Sequence, residues 1–208
     1  MDLAASVGDG VQVASALRHA GIHMRDEGAY NDGLKACQLG LIKLGEAPDS
    51  PEAAEATAWL NIECARALAA MGHRDTADRA LKIAQEWQPA TPYDVADMKC
   101  VTSYVYLHLG RLDTAEGLAA SSIRKWTAEG TSRREGVLAD IALATIHTQT
   151  CQSDATALAH HAITGVASLQ SLRTRQIKLA PLVQALHNRG DSTSRDLTRQ
   201  AGQLMRSA

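Results

Sequence analysis

The chain has 208 residues, and its 21 lysines and arginines nearly balance its 23 aspartates and glutamates, for a formal net charge of −2. This balance excludes a protein that binds nucleic acid through a generally basic surface. No apolar stretch approaches the ~20 residues of a membrane span, and the N-terminus lacks the basic and apolar regions of a signal peptide, so we expect a cytoplasmic protein.

The composition predicts a helical protein. The 37 alanines favour helix, and most of the five prolines fall in two short segments, residues 45–51 and 88–92. Each segment ends with a proline that suits the first turn of a new helix, with Ser50 or Thr91 as the N-cap. Apolar residues between these loops recur at three- and four-residue spacing, and no alternating run predicts a strand. We therefore predict an all-α fold.

A short turn recurs along the chain and divides it into helical hairpins. Its successive positions are 44, 38, 41 and 39 residues apart, which is the room that two helices and their loops need. A glycine at such a turn tolerates the left-handed conformation that ends one helix, and an aspartate three residues later can cap the next helix. The turn positions are Gly28, Gly72, Gly110, Cys151 and Gly190.

The turns predict five hairpins in one repeat domain over residues 11–208, after a disordered segment at residues 1–10. Pro181 lacks a backbone donor, so it should start or kink a helix of the last hairpin. That hairpin then caps the array with a soluble outer face. The predicted hairpins span residues 11–45, 51–88, 92–129, 132–170 and 172–207.

The first hairpin carries the fullest version of the repeated pattern. Leu17 and the pair Ala20-Gly21 precede the turn, and Gly28 and Tyr30 lie across it. This pattern resembles the tetratricopeptide repeat (TPR), although the period here exceeds the usual ~34 residues. The resemblance implies an all-α, right-handed superhelical solenoid of about five TPR-like helical hairpins.

A second resemblance rests on longer segments, among them residues 14–21, 57–59 and 179–186. They are similar to the C-terminal TPR-like domain of bacterial helix-turn-helix transcriptional regulators. The resemblance implies a part in transcription regulation. No reader helix is recognisable, so we expect no direct nucleic-acid binding by this chain alone. Either a DNA-reading domain lies outside this sequence, or the chain is a stand-alone sensor that binds another protein.

The residues that could carry chemistry do not form a recognisable site. His19 and His23 lie four apart on one helix face, but no further ligand at metal-binding spacing accompanies them. The four cysteines lie 27 or more residues apart without a CxxC grouping, which argues against a zinc site. Ser122, Asp140 and His147 could form a nucleophile, acid and base only on paper. We predict no catalytic residue, no metal and no cofactor.

Charge is distributed unevenly along the chain. Residues 1–100 carry 9 basic and 15 acidic side chains, whereas residues 101–208 carry 12 and 8. Residues 46–55 form an acidic loop, and basic residues concentrate after residue 172. The acidic and basic regions are either solvated helix surfaces or sites of association. The association could be head to tail, across subunits, or between the basic end and an acidic partner.

The TPR resemblance places a concave groove on the first helices of the hairpins, where such folds usually bind. The guanidinium groups of arginines and the faces of aromatic rings in this groove suit a carboxylate, a phosphate or an acidic peptide segment. As an alternative, Trp59 and Tyr104 are core residues, and the arginines pair with Asp26, Glu63 or Asp97. The candidate groove residues are Arg18, Arg25, Trp59, Arg66, Tyr104 and His108.

These patterns favour a non-enzymatic regulatory or sensor module that binds a peptide, a small ligand such as an acidic one, or a protein partner in its concave groove. One alternative is a constitutive protein–protein scaffold or homodimer without a small ligand. Another is an atypical enzyme that uses the groove. No membrane partner is expected.

Overall fold

A computed structural model gives the structure of the protein and describes residues 9–45, 50–129 and 133–206. Within these ranges the chain forms ten α-helices and one π-helical turn, without a strand. The all-α prediction is therefore confirmed. None of the described helices is long and apolar enough to cross a membrane. The helices are α1 (Asp9–Asp26), α2 (Tyr30–Gly45), α3 (Pro51–Ala70), α4 (Arg74–Ala84), α5 (Pro92–His108), α6 (Leu112–Glu129), α7 (Arg133–Gln149), α8 (Ala155–Ala167), α9 (Ala180–Arg189) and α10 (Ser192–Arg206).

Each predicted hairpin range coincides with two consecutive α-helices of this series, although α1 begins two residues before the first range. Of the predicted N-terminal segment at residues 1–10, residues 1–8 lie outside the described residues, and the remaining two begin α1. The described helices form two compact units, α1–α4 up to Ala90 and α5–α10 from Thr91.

Local chemistry sets where α3 and α5 begin. The Ser50 hydroxyl accepts a 3.1 Å hydrogen bond from the Ala53 backbone N–H, and the Thr91 hydroxyl accepts one of 3.1 Å from Asp94. In both helices a proline occupies the first turn, where its missing N–H costs nothing. The predicted N-caps are confirmed. Pro181 likewise lies in the first turn of α9, after the π-helical turn Thr174–Lys178, so it starts a helix as predicted.

The five predicted turn positions all adopt left-handed backbone conformations. The φ angles are 86° at Gly28, 81° at Gly72, 74° at Gly110, 55° at Cys151 and 70° at Gly190. This conformation ends one helix and redirects the chain into the next, and glycine adopts it without steric cost. Cys151 adopts it despite its Cβ atom.

The predicted capping by aspartates three residues after the turn is wrong for α4 and α8. Neither helix has a side-chain cap, since Asp75 lies inside the first turn of α4 and Asp154 directs its carboxylate to His147. In the last hairpin the capping residue is Asp191, whose carboxylate accepts a 2.8 Å hydrogen bond from the Ser194 backbone N–H.

In the first unit, α3 packs against α1, α2 and α4. All residues from 58 to 65 are buried, so the middle of α3 has no solvated face. The hairpin of α1 and α2 is closely packed, because a Cβ atom on Gly33 would lie 2.7 Å from the backbone oxygen of Gly21. The unit is therefore built around α3, with little spare room between α1 and α2.

In the second unit, α7 is the central helix. It packs against α5, α6, α8 and α9, while α10 packs against α8 and α9. One core cluster of this unit gathers Ile141 from α7, Ile163 from α8 and Leu182 and Leu186 from α9, all fully buried. Leu197 and Ala201 of α10 join this cluster, so the last helix covers the core with one face.

Candidate functional site

A pocket of about 200 Å³ lies between α1 and α3, the first helices of the first two hairpins. Each helix contributes one face, because the lining residues recur at the three- and four-residue spacing that keeps side chains on the same side of a helix. We call it the α1/α3 pocket. It is lined by Val11, Ala14, Ser15 and Arg18 of α1 and by Glu52, Glu55, Ala56, Trp59 and Leu60 of α3.

Arg18 and Trp59 form one end of the pocket. The guanidinium carbon of Arg18 lies 5.4 Å from the centroid of the Trp59 ring, within the range of a cation–π interaction. Trp59 is only 7% exposed, and its ring also contacts Trp87 with centroids 6.4 Å apart. The two sequence interpretations of Trp59 therefore both describe it, since its side chain is buried and also lines the pocket.

Arg25 and Arg66 take part in a buried ionic cluster. Arg25 of α1 donates to the Glu63 carboxylate of α3 and, at 2.9 Å, to Asp26. Arg66 lies 3.5 Å from the same carboxylate of Glu63. Asp26 and Glu63 were named from the sequence as partners on neighbouring turns, which describes Arg25–Asp26 and Arg66–Glu63, whereas Arg25–Glu63 joins two helices. Neither arginine is among the residues that line the α1/α3 pocket.

Burial makes the charge of Arg25 costly. Removal from water, followed by the positive charge of Arg66, lowers the pKa of Arg25 from 12.5 to about 9, although Asp26 acts in the opposite direction. Two carboxylates, Glu63 and Asp26, stand against the guanidinium groups of Arg25 and Arg66 and of the nearby Arg18.

Cys37 and Cys64 form a buried thiol pair beside these arginines. A hydrogen bond from Cys64 lowers the pKa of the Cys37 thiol, burial opposes this, and the charges of Arg25 and Arg18 lower it further. The same hydrogen bond and burial raise the pKa of Cys64. The influence of both Arg18 and Arg25 on Cys37 shows that the two guanidinium groups act on one small region of the unit.

Tyr104 and His108 belong to the second unit. The Tyr104 hydroxyl donates a 2.8 Å hydrogen bond to the Leu138 carbonyl, and its side chain packs against two core clusters, one that includes Trp126 and one that includes Ile146. His108 is exposed in the last turn of α5. The contacts of Tyr104 agree with its interpretation as a packing residue between helices of that unit.

The residues that could have formed a catalytic trio are held in separate contacts. Ser122 donates to the Ala96 carbonyl at 2.7 Å, and Asp140 lies 3.4 Å from His161. His147 is held by Asp154, at 2.6 Å from its Nδ1 atom. Each of the three side chains therefore contacts a different partner, and these contacts do not bring them together as a catalytic trio. Across the described ranges, no group of three or more His, Cys, Asp or Glu residues is arranged to hold a metal ion.

Sequence reasoning missed Glu52 and Glu55 as pocket residues, because it assigned them to an acidic loop. Both lie in the first two turns of α3 and face the pocket with Trp59. Their signal was present in the spacing, since residues 52, 55, 56 and 59 fall on one face of a helix. The pocket thus has carboxylates as well as a guanidinium group.

Neither protein-family models, curated proteins nor solved structures gave a match to this chain.

Proposed function

We propose that this chain is a non-enzymatic regulatory or sensor module of the TPR-like kind, a right-handed solenoid that acts in transcription regulation in the bacterial cytoplasm. It binds a small ligand or the end of a peptide in the α1/α3 pocket and passes the bound state on to a protein partner. The observation that carries the proposal is the position of this pocket between the first helices of two successive hairpins.

The packing within each unit supports stacked repeats. In the first unit α3 packs on both helices of the preceding hairpin, and in the second unit α7 does the same with α5 and α6. In repeat arrays each repeat contacts its neighbours in this way, and ligands bind on the surface that the stacking creates. The recurrent left-handed turn between the helices of each hairpin supports the same arrangement.

The charges around the pocket support an anionic group on the ligand. Arg18 presents its guanidinium on the Trp59 ring, at the edge of the pocket. A carboxylate or phosphate can accept two parallel hydrogen bonds from a guanidinium group, which makes arginine well suited to such ligands. Binding then places a negative charge where the protein favours one.

A ligand in this pocket touches two hairpins at once. It can therefore favour one angle between α1 and α3 over another, to the extent that it binds the two arrangements with different affinity. A change in that angle alters the outer surface of the array, which is where a regulatory partner would dock. This gives the module a way to report the ligand.

The proposal is tested by native mass spectrometry of the protein purified from its own host, followed by denaturing analysis of what is released. We expect a small molecule or peptide to accompany the wild-type protein and the Arg74→Gln control, and to be lost from Arg18→Gln. Arg74 is an exposed residue of α4 outside the pocket. A ligand-free wild-type protein would contradict the sensor function.

A second candidate is a constitutive scaffold or homodimer, and the outer face of α2 favours it. Leu39 and Ile42 lie one turn apart and are 45% and 61% exposed. Exposed apolar side chains that are grouped together often mark an interaction surface. Sedimentation of wild-type protein and of Ile42→Lys would test the homodimer. A dimer through α2 should dissociate in the variant, and a monomer in both proteins would exclude the homodimer.

A further inference from the structure

The α1/α3 pocket carries opposite charges along its length. Arg18 lies over Trp59, whereas Glu55 and Glu52 precede Trp59 on α3 by four and seven residues. A helix rises 1.5 Å per residue, so the backbone positions of Glu55 and Glu52 lie roughly 6 and 10 Å from that of Trp59 along the axis of α3. The pocket is therefore a short dipolar channel.

The two glutamates are available to a ligand. Both side chains are exposed, and in the described part of the chain neither is held in an ion pair or a hydrogen bond. Two carboxylates one turn apart on a helix repel each other. A cation between them relieves this repulsion, so their end of the pocket favours a positively charged group.

The wall between the charged ends is mostly apolar. It consists of the Trp59 ring and the aliphatic side chains of Val11, Ala14, Ala56 and Leu60. Burial of a ligand's apolar group against such a wall is favourable in proportion to the area removed from water. A ligand that matches the whole pocket therefore has an anionic group, an apolar group and a cationic group.

Size limits which ligand can supply all three. The pocket of about 200 Å³ is smaller than the ~300–1,000 Å³ typical of sites for drug-sized ligands. A single amino acid has its ammonium and carboxylate groups on one carbon atom and cannot reach both ends. Two extended residues span at most about 7 Å, which is close to the roughly 6 Å that separate the backbone positions of Glu55 and Trp59 along α3.

We infer that the α1/α3 pocket binds a dipeptide-sized zwitterion, with its carboxylate on Arg18, its ammonium group on Glu52 and Glu55, and an apolar side chain on Trp59. The inference rests on the proposed sensor function, because it names the ligand class of the same site. A phosphate or a purely acidic peptide would satisfy Arg18 alone and would be repelled by the two glutamates. Both charged ends of the pocket are therefore needed for recognition.

The test is isothermal titration calorimetry of the full chain with L-alanyl-L-leucine. Matched probes are N-acetyl-L-alanyl-L-leucine, which lacks the ammonium group, L-alanyl-L-leucinamide, which lacks the carboxylate, and free L-leucine, which is too short. We expect the dipeptide to bind, and each blocked or shortened probe to bind at least about tenfold more weakly, since each loses a charge-assisted contact. These comparisons require no altered protein.

Variants assign the contacts to residues. The double variant Glu52→Gln/Glu55→Gln should lose its preference for the free ammonium group over the acetylated form, while Arg18→Gln should lose its preference for the carboxylate over the amide. Glu86→Gln and Arg74→Gln alter exposed residues of the same unit outside the pocket and should keep both preferences. Thermal unfolding of each variant shows whether it is folded.

The outcomes separate this inference from the proposed function. Equal binding of the acetylated and free dipeptides would overturn the zwitterion class and leave a ligand-binding module. No binding of any probe, with another small molecule released from the native protein, would overturn the zwitterion alone. No binding of any probe and no released molecule would overturn both.

Discussion

Arg25 of α1 and Glu63 of α3 form an ion pair that is almost completely buried, with the two residues 7% and 5% exposed. The pair joins the first helices of two successive hairpins across 38 positions of sequence. Glu63 also faces Arg66, so one carboxylate serves two guanidinium groups in the interior of the unit. The stability of the first unit should therefore depend strongly on this single acidic side chain.

Glu63→Gln should lower the free energy of unfolding by about 3–5 kcal/mol, because it leaves buried arginines without their shared carboxylate. Urea unfolding at neutral pH measures this. The exposed Glu86→Gln is the matched control and should change stability by no more than about 0.5 kcal/mol. Adding Arg25→Met to Glu63→Gln should restore part of the loss, since it removes an unpaired buried charge. A loss from Glu63→Gln no larger than that of the control would show that the ion pair is not needed.

Gly33→Ala should destabilise the protein by about 1–3 kcal/mol through overpacking of α1 against α2. The new Cβ atom would lie 2.7 Å from the Gly21 carbonyl oxygen, a backbone atom that cannot move without separating the helices. Gly117 in α6 is the comparison, since a Cβ atom there meets nothing within 4 Å. Gly117→Ala should stabilise by about 0.5–1 kcal/mol, because alanine has the higher helix propensity. The same sign of change in both variants, measured by denaturant unfolding, would contradict the close packing.

Cys151→Gly should raise the free energy of unfolding by about 1 kcal/mol, because a residue with a Cβ atom is strained in the left-handed region. The φ angle at this position is 55°, and the side chain is exposed, so little packing is lost. The reverse change at the equivalent turn, Gly110→Cys at φ 74°, should lower stability by a similar amount. Thermal unfolding of both variants under reducing conditions is the measurement. If Cys151→Gly is less stable than wild type, the cysteine has a role that outweighs the strain.

Asp191 should make the last hairpin more stable at neutral than at acidic pH. Hydrogen bonds from the Ser194 backbone N–H, then from its hydroxyl, lower the pKa of this carboxyl below its ordinary 3.8. The folded state therefore binds fewer protons than the unfolded state, so this stability is present above the ordinary pKa and is lost as pH falls through the lowered one. Asparagine also caps helices but does not titrate.

The comparison is between wild type and Asp191→Asn, by urea unfolding at about pH 7 and at about pH 2.5, which is below the ordinary pKa of the carboxyl. The wild-type advantage in unfolding midpoint should shrink or vanish at the lower pH. A difference that stays constant between the two conditions would mean that the charge of Asp191 does not stabilise the cap.

The helical fold, the helix starts and the turns could be predicted because they depend on residues that are close together in the sequence. Ser50 and Thr91 cap helices through amides three residues away, and the left-handed turn at Gly72 needs only a residue that tolerates positive φ. The predicted cap at Asp154 failed for a tertiary reason. Its carboxylate binds His147, seven residues earlier on another helix, and no local propensity decides between these two partners.

The candidate site was likewise predictable only in part. The TPR resemblance, with offsets counted from each turn glycine, placed the candidate arginines and aromatic residues on the first helices of the hairpins. Only the tertiary structure decided that Arg18 lies on Trp59 at a pocket, while Arg25 is held by Glu63. It also decided that Glu52 and Glu55 line the same pocket as Arg18. The physical reason is that burial and charge pairing depend on which helix packs against which, and residues far apart in the chain determine that packing.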